Sequence, residues 1–261
     1  MKKKIKIYQF CIVFLFVNMS YSQVEKYDVK FIYDTEIILE NGDVLIEKMQ
    51  LLYSPQKSVY VSPVKLILDS LKIEFRKQGD IYGYLEAKAK YPENRLQYVV
   101  FKEHKSYKYQ LVGVDKTNIE INNETPQLEW QLQQKYDSIL NYKTQLATAI
   151  YNNTEYEAWF TADIPINNGP YFYQGLPGLI VKIKNKKLNY NIQLVGIENK
   201  KGIMPEPLTE KIATIKFSQL YTTILGSHRS LIKWAGVDNE SEKKIIEAGE
   251  NKVEKKYLFE F

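Results

Sequence analysis

The chain has 261 residues, 44% of them hydrophobic and 26% charged, a globular rather than a disordered composition and enough chain for one large domain or two small ones. A single Cys excludes a disulfide framework and any Cys-based zinc or iron–sulfur site. The 21 Tyr and the 13% aromatic content lean toward strands.

Residues 1–22 read as a secretory signal peptide. Lys2, Lys3, Lys4 and Lys6 form the positive end, residues 7–17 form the apolar stretch, and Ser20-Tyr21-Ser22 offers small residues where a signal peptidase cuts. The apolar stretch is shorter than the ~20 residues a permanent anchor needs, so no stable membrane span is expected. Cys11 lies inside it, away from the cleavage point. Losing four lysines and no acid takes the formal net charge from +5 to +1. A surface so nearly neutral has little field to hold phosphates, which argues against nucleic acid as a partner. Residues 23–261 are expected as one domain, periplasmic or secreted, because no repeat, low-complexity stretch or Pro/Ser linker divides them.

Along that domain the pattern is mostly period two. Val29, Phe31, Tyr33, Thr35, Ile37 and Leu39 alternate with Lys30, Asp34 and Glu36, Asn41-Gly42-Asp43 signals a turn, and residues 45–53 return as a second strand. Residues 96–102 and 107–112 form another pair, joined through His104 and Lys105. Residues 64–76 fit a short helix or a strand equally. Asn122-Asn123-Glu124-Thr125-Pro126 reads as a turn, followed by the alternating Leu128, Trp130 and Leu132. Residues 142–150 and 156–161 flank Asn152-Asn153-Thr154 as a hairpin, and residues 179–183 and 188–197 flank Asn185-Lys186-Lys187 in the same way. Repeated one-face alternation predicts an antiparallel sheet with one side buried. One late amphipathic helix is expected, with Ser218 as N-cap, Leu220, Ile224, His228 and Leu231 at helical spacing, and Gly236 as the stop. The expected fold is mainly β with minor α: a curved antiparallel sheet, bowl-like or half-barrel, against which that helix packs.

The stretch 157–181 breaks the pattern. Pro165, Gly169-Pro170, Gly175 and Pro177-Gly178 forbid a continuous helix or strand, yet Trp159, Phe160, Ile164, Ile166, Tyr171, Phe172, Tyr173, Leu176, Leu179 and Ile180 make it very apolar. A loop this apolar must be packed down, with glycines supplying positive φ or close approach. It reads as a structural clasp across the sheet, or as an aromatic wall of a ligand surface formed by Trp159, Tyr171, Phe172, Tyr173 and Leu176.

Gly175-Leu176-Pro177-Gly178-Leu179-Ile180 is the hexapeptide that names the GLPGLI family of exported Bacteroidota proteins, which this chain resembles. The resemblance takes in Asp163-Ile164-Pro165, Gly169-Pro170, the Ala158-Trp159-Phe160 strand and residues 188–197. Residues 142–147 resemble the family's preceding segment, where a Cys often stands in place of Thr144, so no thiol role carries over. The family brings no established activity. Its members are often encoded beside outer-membrane transport systems, which implies a transport component as a partner. A further similarity, to the bowl-like β domain ahead of some bacterial peptide N-glycosidases, implies a curved sheet with a concave face.

Motifs for chemistry are few. His104 and His228 are the two histidines, no His-Glu-x-x-His, Gly-x-Ser-x-Gly or phosphate-binding loop is present, and no cofactor or metal is expected. A carboxylate hydrolase would have to use acids distant in sequence, with Glu157 and Asp163 as the candidates. The C-terminal residues 257–261 alternate aromatics like the last strand of a small outer-membrane barrel, although the punctuated loop and the late helix fit barrel strands poorly. Asp69-Ser70-Leu71 and Asp137-Ser138-Ile139 match a short pattern for O-glycosylation of exported proteins. The function expected is that of an exported, non-enzymatic accessory or binding protein whose partner is an outer-membrane transport component, an apolar ligand or a peptide.

Overall fold

The computed structural model describes residues 25–215, apart from 39–41, 95, 104–105, 113–117, 125–127, 152–153, 186–189 and 210–211. The chain runs β1 (Lys26–Tyr27), β2 (Val29–Ile38), β3 (Val44–Tyr53), β4 (Lys57–Val61), α1 (Pro63–Gln78), α2 (Ile81–Lys88), β5 (Val99–Glu103), β6 (Ser106–Val112) and β7 (Asn118–Glu124). It continues with β8 (Gln131–Ile139), β9 (Tyr142–Tyr151), β10 (Thr154–Thr161), β11 (Leu179–Asn185), β12 (Tyr190–Glu198), β13 (Gly202–Ile203) and β14 (Ile212–Thr214). Twelve strands make one sheet in the order β14-β7-β6-β5-β4-β3-β2-β12-β11-β10-β9-β8, while β1 and β13 form a separate ribbon. Pairing is antiparallel throughout except between β14 and β7. The mainly β antiparallel architecture read from the sequence is the one observed, and among the described residues the sheet is open, ending at β14 and β8.

The period-two pattern of β2 shows how the faces are set. Phe31, Tyr33, Thr35 and Ile37 are buried. On the other face Lys30 pairs with Glu198 at 2.9 Å, Asp34 with Lys48 at 2.8 Å, and Glu36 accepts from Asn191 at 2.9 Å. Register then propagates the inner face across the sheet: Tyr33 lies opposite Met49 and Leu194, Leu51 opposite Tyr60, Tyr60 opposite Val100, Val100 opposite Tyr109, and Tyr109 opposite Ile121. All of these are buried in one core. A second, smaller cluster lies on the outer face, where Tyr27 and Leu66 cover Leu52, Val59, Val61 and Val99 together with Met204.

Curvature follows from one residue. In a flat sheet β4 and β11 stand four strand spacings apart, ~19 Å. Asn168 accepts from Ile180 N at 2.9 Å and donates from Nδ2 to Ser58 Oγ at 2.9 Å, so it bridges β11 and β4 by itself. An asparagine spans only ~5 Å between those atoms, and the sheet must therefore curl into a bowl.

Several local expectations change. Residues 64–76 are helical: Ser62 Oγ accepts from Lys65 N, Pro63 occupies the first turn, and Gly79 closes α1 at φ 71°. The helices among the described residues come early, between β4 and β5. Asn122-Asn123-Glu124 continues β7 instead of turning. β5 starts at Val99 rather than Leu96, whose N–H is taken by the Glu47 carboxylate at 2.8 Å. Leu128 and Trp130 precede β8. β8 and β9 are joined by a two-residue turn with Leu140 at φ 50° and Asn141 at φ 65°. The signal peptide 1–22, the late helix 218–236, the C-terminal strand 257–261, His104 and His228 lie outside the described residues.

Candidate functional site

The link from β10 to β11, residues 162–178, crosses the inner face of the bowl. It is built from tight turns that close its own backbone hydrogen bonds. Pro165 and Pro177, with φ preset near −65°, sit at the centre of two three-residue turns: Ile166 N donates to Ile164 O at 2.7 Å and Gly178 N to Leu176 O at 2.8 Å. Asn168 N donates to Ile166 O at 2.7 Å, and Tyr173 N to Pro170 O at 3.1 Å. Two more bonds tie the clasp to β11: Leu179 N to Ile164 O at 3.0 Å and Ile180 N to Asn168 O at 2.9 Å. Gly175 has φ 102° and Gly178 φ 155°, and a Cβ on Gly178 would stand 2.0 Å from Thr161 O. Asp163, Pro165, Gly175 and Pro177 are exposed, whereas Gly169, Pro170 and Gly178 are buried.

The side chains of the clasp fill the bowl. Tyr171, Phe172, Tyr173 and Leu176 are 1–2% exposed. Tyr171, held at φ 52°, puts its ring 5.4 Å from that of Tyr98 and 6.0 Å from that of Tyr109, edge to face in both cases. Phe172 lies 6.1 Å from Tyr107, and Tyr173 lies 5.9 Å from Tyr156 while its hydroxyl meets that of Tyr190. Tyr33 reaches over from β2 to donate to Ile180 O at 2.9 Å. Burial, with neighbouring phenols adding to it, raises the Tyr171, Tyr98 and Tyr190 hydroxyls well above their ordinary range, so the cluster stays neutral.

Trp159, three residues after Tyr156 on β10, is buried as well, at 8% exposure and within the same core cluster, with Lys135 Nζ 5.8 Å from its ring. Glu157 is on the outer face, in a salt bridge with Lys184 at 2.8 Å, while Asp163 turns out to solvent at the start of the clasp, its N–H held by Thr161 Oγ1 at 3.2 Å. Thr144 is buried in β9 at 1% exposure. Ser70 lies exposed on α1 and Ser138 on the outermost strand β8. Among the described residues, no group of three or more His, Cys, Asp or Glu converges as a metal site would require, and no helix is long and apolar enough to cross a membrane.

One residue of the site escaped sequence reasoning. Lys102, at the end of β5, points inward and is 3% exposed. Its Nζ donates to Asn168 Oδ1 and to Gly169 O at 2.7 Å, so it anchors the middle of the clasp to the opposite wall of the bowl. Burial alone pushes its amine down to about 7. The signal was available: Tyr98, Val100 and Lys102 alternate, which puts a lysine in line with two core residues.

Comparisons with known proteins agree with the fold and stop short of an activity. A family described as "Protein of unknown function (Porph_ging)" matches residues 97–182, from the approach to β5 through the clasp into β11. No curated protein matches the chain. The solved structure of PNGF-II in a P21 crystal form is similar with a TM-score of 0.52 at 14% identity, over 76% of this chain and 33% of that one. A C2 crystal form of PNGF-II matches with a TM-score of 0.48, and a LolA superfamily protein, NE2245 from Nitrosomonas europaea, with 0.29 at 7% identity over 71% of this chain and 89% of that one. The likeness to PNGF-II is one of fold, and the chain spans about a third of that protein's length. Fold and clasp together define a bowl-shaped antiparallel sheet closed by its own aromatic loop.

Proposed function

We propose that the protein is an exported, non-enzymatic accessory or binding component of the periplasm or cell envelope, of the GLPGLI type, in which residues 162–178 close the inner face of the bowl. The observation that carries this reading is the seating of Tyr171, Phe172, Tyr173 and Leu176 among the inner-face tyrosines. Such an arrangement supplies shape and apolar surface; the carboxylates offered as a hydrolytic pair are engaged with Lys184 in one case and turned to solvent in the other. An apolar ligand or a partner's peptide segment reaches the inner face only by exchanging with the clasp, because the tyrosines that would line its site hold Tyr171 and Phe172 now. A transport component of the outer membrane is the partner class this reading favours.

The test is native mass spectrometry of the protein purified from its own envelope fraction, followed by analysis of released lipids and peptides. A bound apolar molecule or peptide at fixed stoichiometry supports the reading. A protein that carries nothing, and takes up neither lipid nor peptide from an envelope extract, overturns it.

A further inference from the structure

We propose that Lys102 is a proton-linked latch on the clasp: its buried amine holds the Asn168–Gly169 corner against β5, and a fall in pH favours release of that corner. The inference rests on the reading of residues 162–178 as the closure of the bowl.

The geometry fits a neutral amine better than an ammonium. Nζ meets two acceptors, Asn168 Oδ1 and Gly169 O, both uncharged. A neutral amine has two N–H groups, which these two acceptors use; an ammonium brings a third N–H and a full charge. Among the described residues, no carboxylate lies within ion-pair distance of Nζ. The groups facing Lys102 are Ser58 from β4 and Tyr107 from β6, its partners across the strands, with Tyr53 from β3 next in the same row. Burial and the nearby Asp28 raise the Tyr53 phenol, so it does not titrate near neutrality. The one charged residue of the clasp is Asp163, exposed in its first turn. Glu47, the carboxylate on the inner face of β3, holds Asn94 Nδ2 and Leu96 N about 20 Å further along the strands.

With the corner closed, the amine sits at about 7. With the corner open it meets water and returns to about 10.4, so opening takes up a proton over the range between. Lowering pH from 8 to 6 then favours opening by about tenfold. The corner is also where release matters most, because Asn168 bonds to both β11 and β4 while Gly169 leads into the turn that inserts Tyr171 and Phe172.

Amide hydrogen exchange reads this directly. Protection of the Ile180 and Tyr173 N–H groups, which bond to Asn168 O and Pro170 O, is expected to fall about tenfold between pH 8 and pH 6 after correction for intrinsic rates, with the inner amides of β2 and β12 unchanged. In Lys102→Met the clasp amides are expected to lose that pH dependence. Equal wild-type protection at the two pH values overturns the latch, as does the same fall in Lys102→Met. If that variant does not fold, NMR titration of the Lys102 side chain in the wild-type protein decides: a midpoint near 7 supports the latch and one near 10 overturns it. The two proposals part cleanly, since a ligand-free protein with the pH response loses the binding reading alone, and a ligand-binding protein with a pH-flat clasp loses the latch alone.

Discussion

Two long insertions leave the sheet and meet opposite fates. Residues 162–178 join β10 to β11 without regular secondary structure and bury Tyr171, Phe172, Tyr173 and Leu176 completely. Residues 62–98 join β4 to β5 and contain two well-formed, capped helices, yet Ile73, Ile81, Tyr82 and Leu85 are more than half exposed. A helix satisfies its backbone internally and can stand at the margin of a fold. The clasp has no such independence: its three-residue turns and its bonds to β11 close its backbone only where it lies, and the tyrosine-rich inner face then fits its rings. Burial here follows the match between side chains and the surface beneath them, and regular backbone is no guide to it.

The sharpest way to break that contrast is to truncate one aromatic in each insertion. Tyr171→Ala, with a buried ring touching Tyr98, Tyr109 and Phe172, is expected to cost about 3–5 kcal/mol in urea unfolding. Tyr82→Ala on α2 is expected to cost under ~0.5 kcal/mol. Similar losses at the two positions would mean that the insertions are not different in kind.

Backbone geometry gives the next largest effects. Gly178→Val places a side chain at φ 155° with Cβ 2.0 Å from Thr161 O, and is expected to cost at least about 3 kcal/mol. Gly175→Val, at φ 102° but exposed and meeting only Trp130, is expected to cost about 1–2 kcal/mol. Unchanged melting of both variants would remove the glycines from the account of how the clasp is held.

Lys102 sharpens the comparison through pH. Its amine sits near 7 when folded and near 10.4 when unfolded, so between those values the unfolded chain binds the extra proton. This contribution to stability is fully present above pH ~10.4, declines by roughly 1.4 kcal/mol per unit as pH falls toward 7, and is flat below. Urea midpoints at pH 7, 8 and 9 check it: a rise with pH is expected in the wild type, and a shallower one in Lys102→Met.

How much of this was legible in the sequence depended on contrast between faces. The β2 strand could be read because its outer face carries Lys30, Asp34 and Glu36 while its inner face is apolar. The clasp could be read because prolines and glycines punctuate an apolar run. The α2 helix could not, since it is one short stretch with Gly83 inside and no buried residue to create a period. The β8–β9 turn was hidden because Leu140 adopts a left-handed conformation that leucine rarely takes. Lys102 was passed over because a lysine at a strand end looks solvated until its phase is compared with Tyr98 and Val100.

A designed cross-link between Ser58 and Asn168 tests the central claim most directly. Their side chains meet at 2.9 Å although Ser58 lies on β4 and Asn168 in the link that runs into β11, four places away in the sheet order. In a Cys11→Ser background, the pair Ser58→Cys and Asn168→Cys is expected to be bridged nearly completely in the folded protein by a short bifunctional thiol-reactive cross-linker. Two free, titratable thiols in a protein that remains folded would show that residues 162–178 do not lie across the bowl.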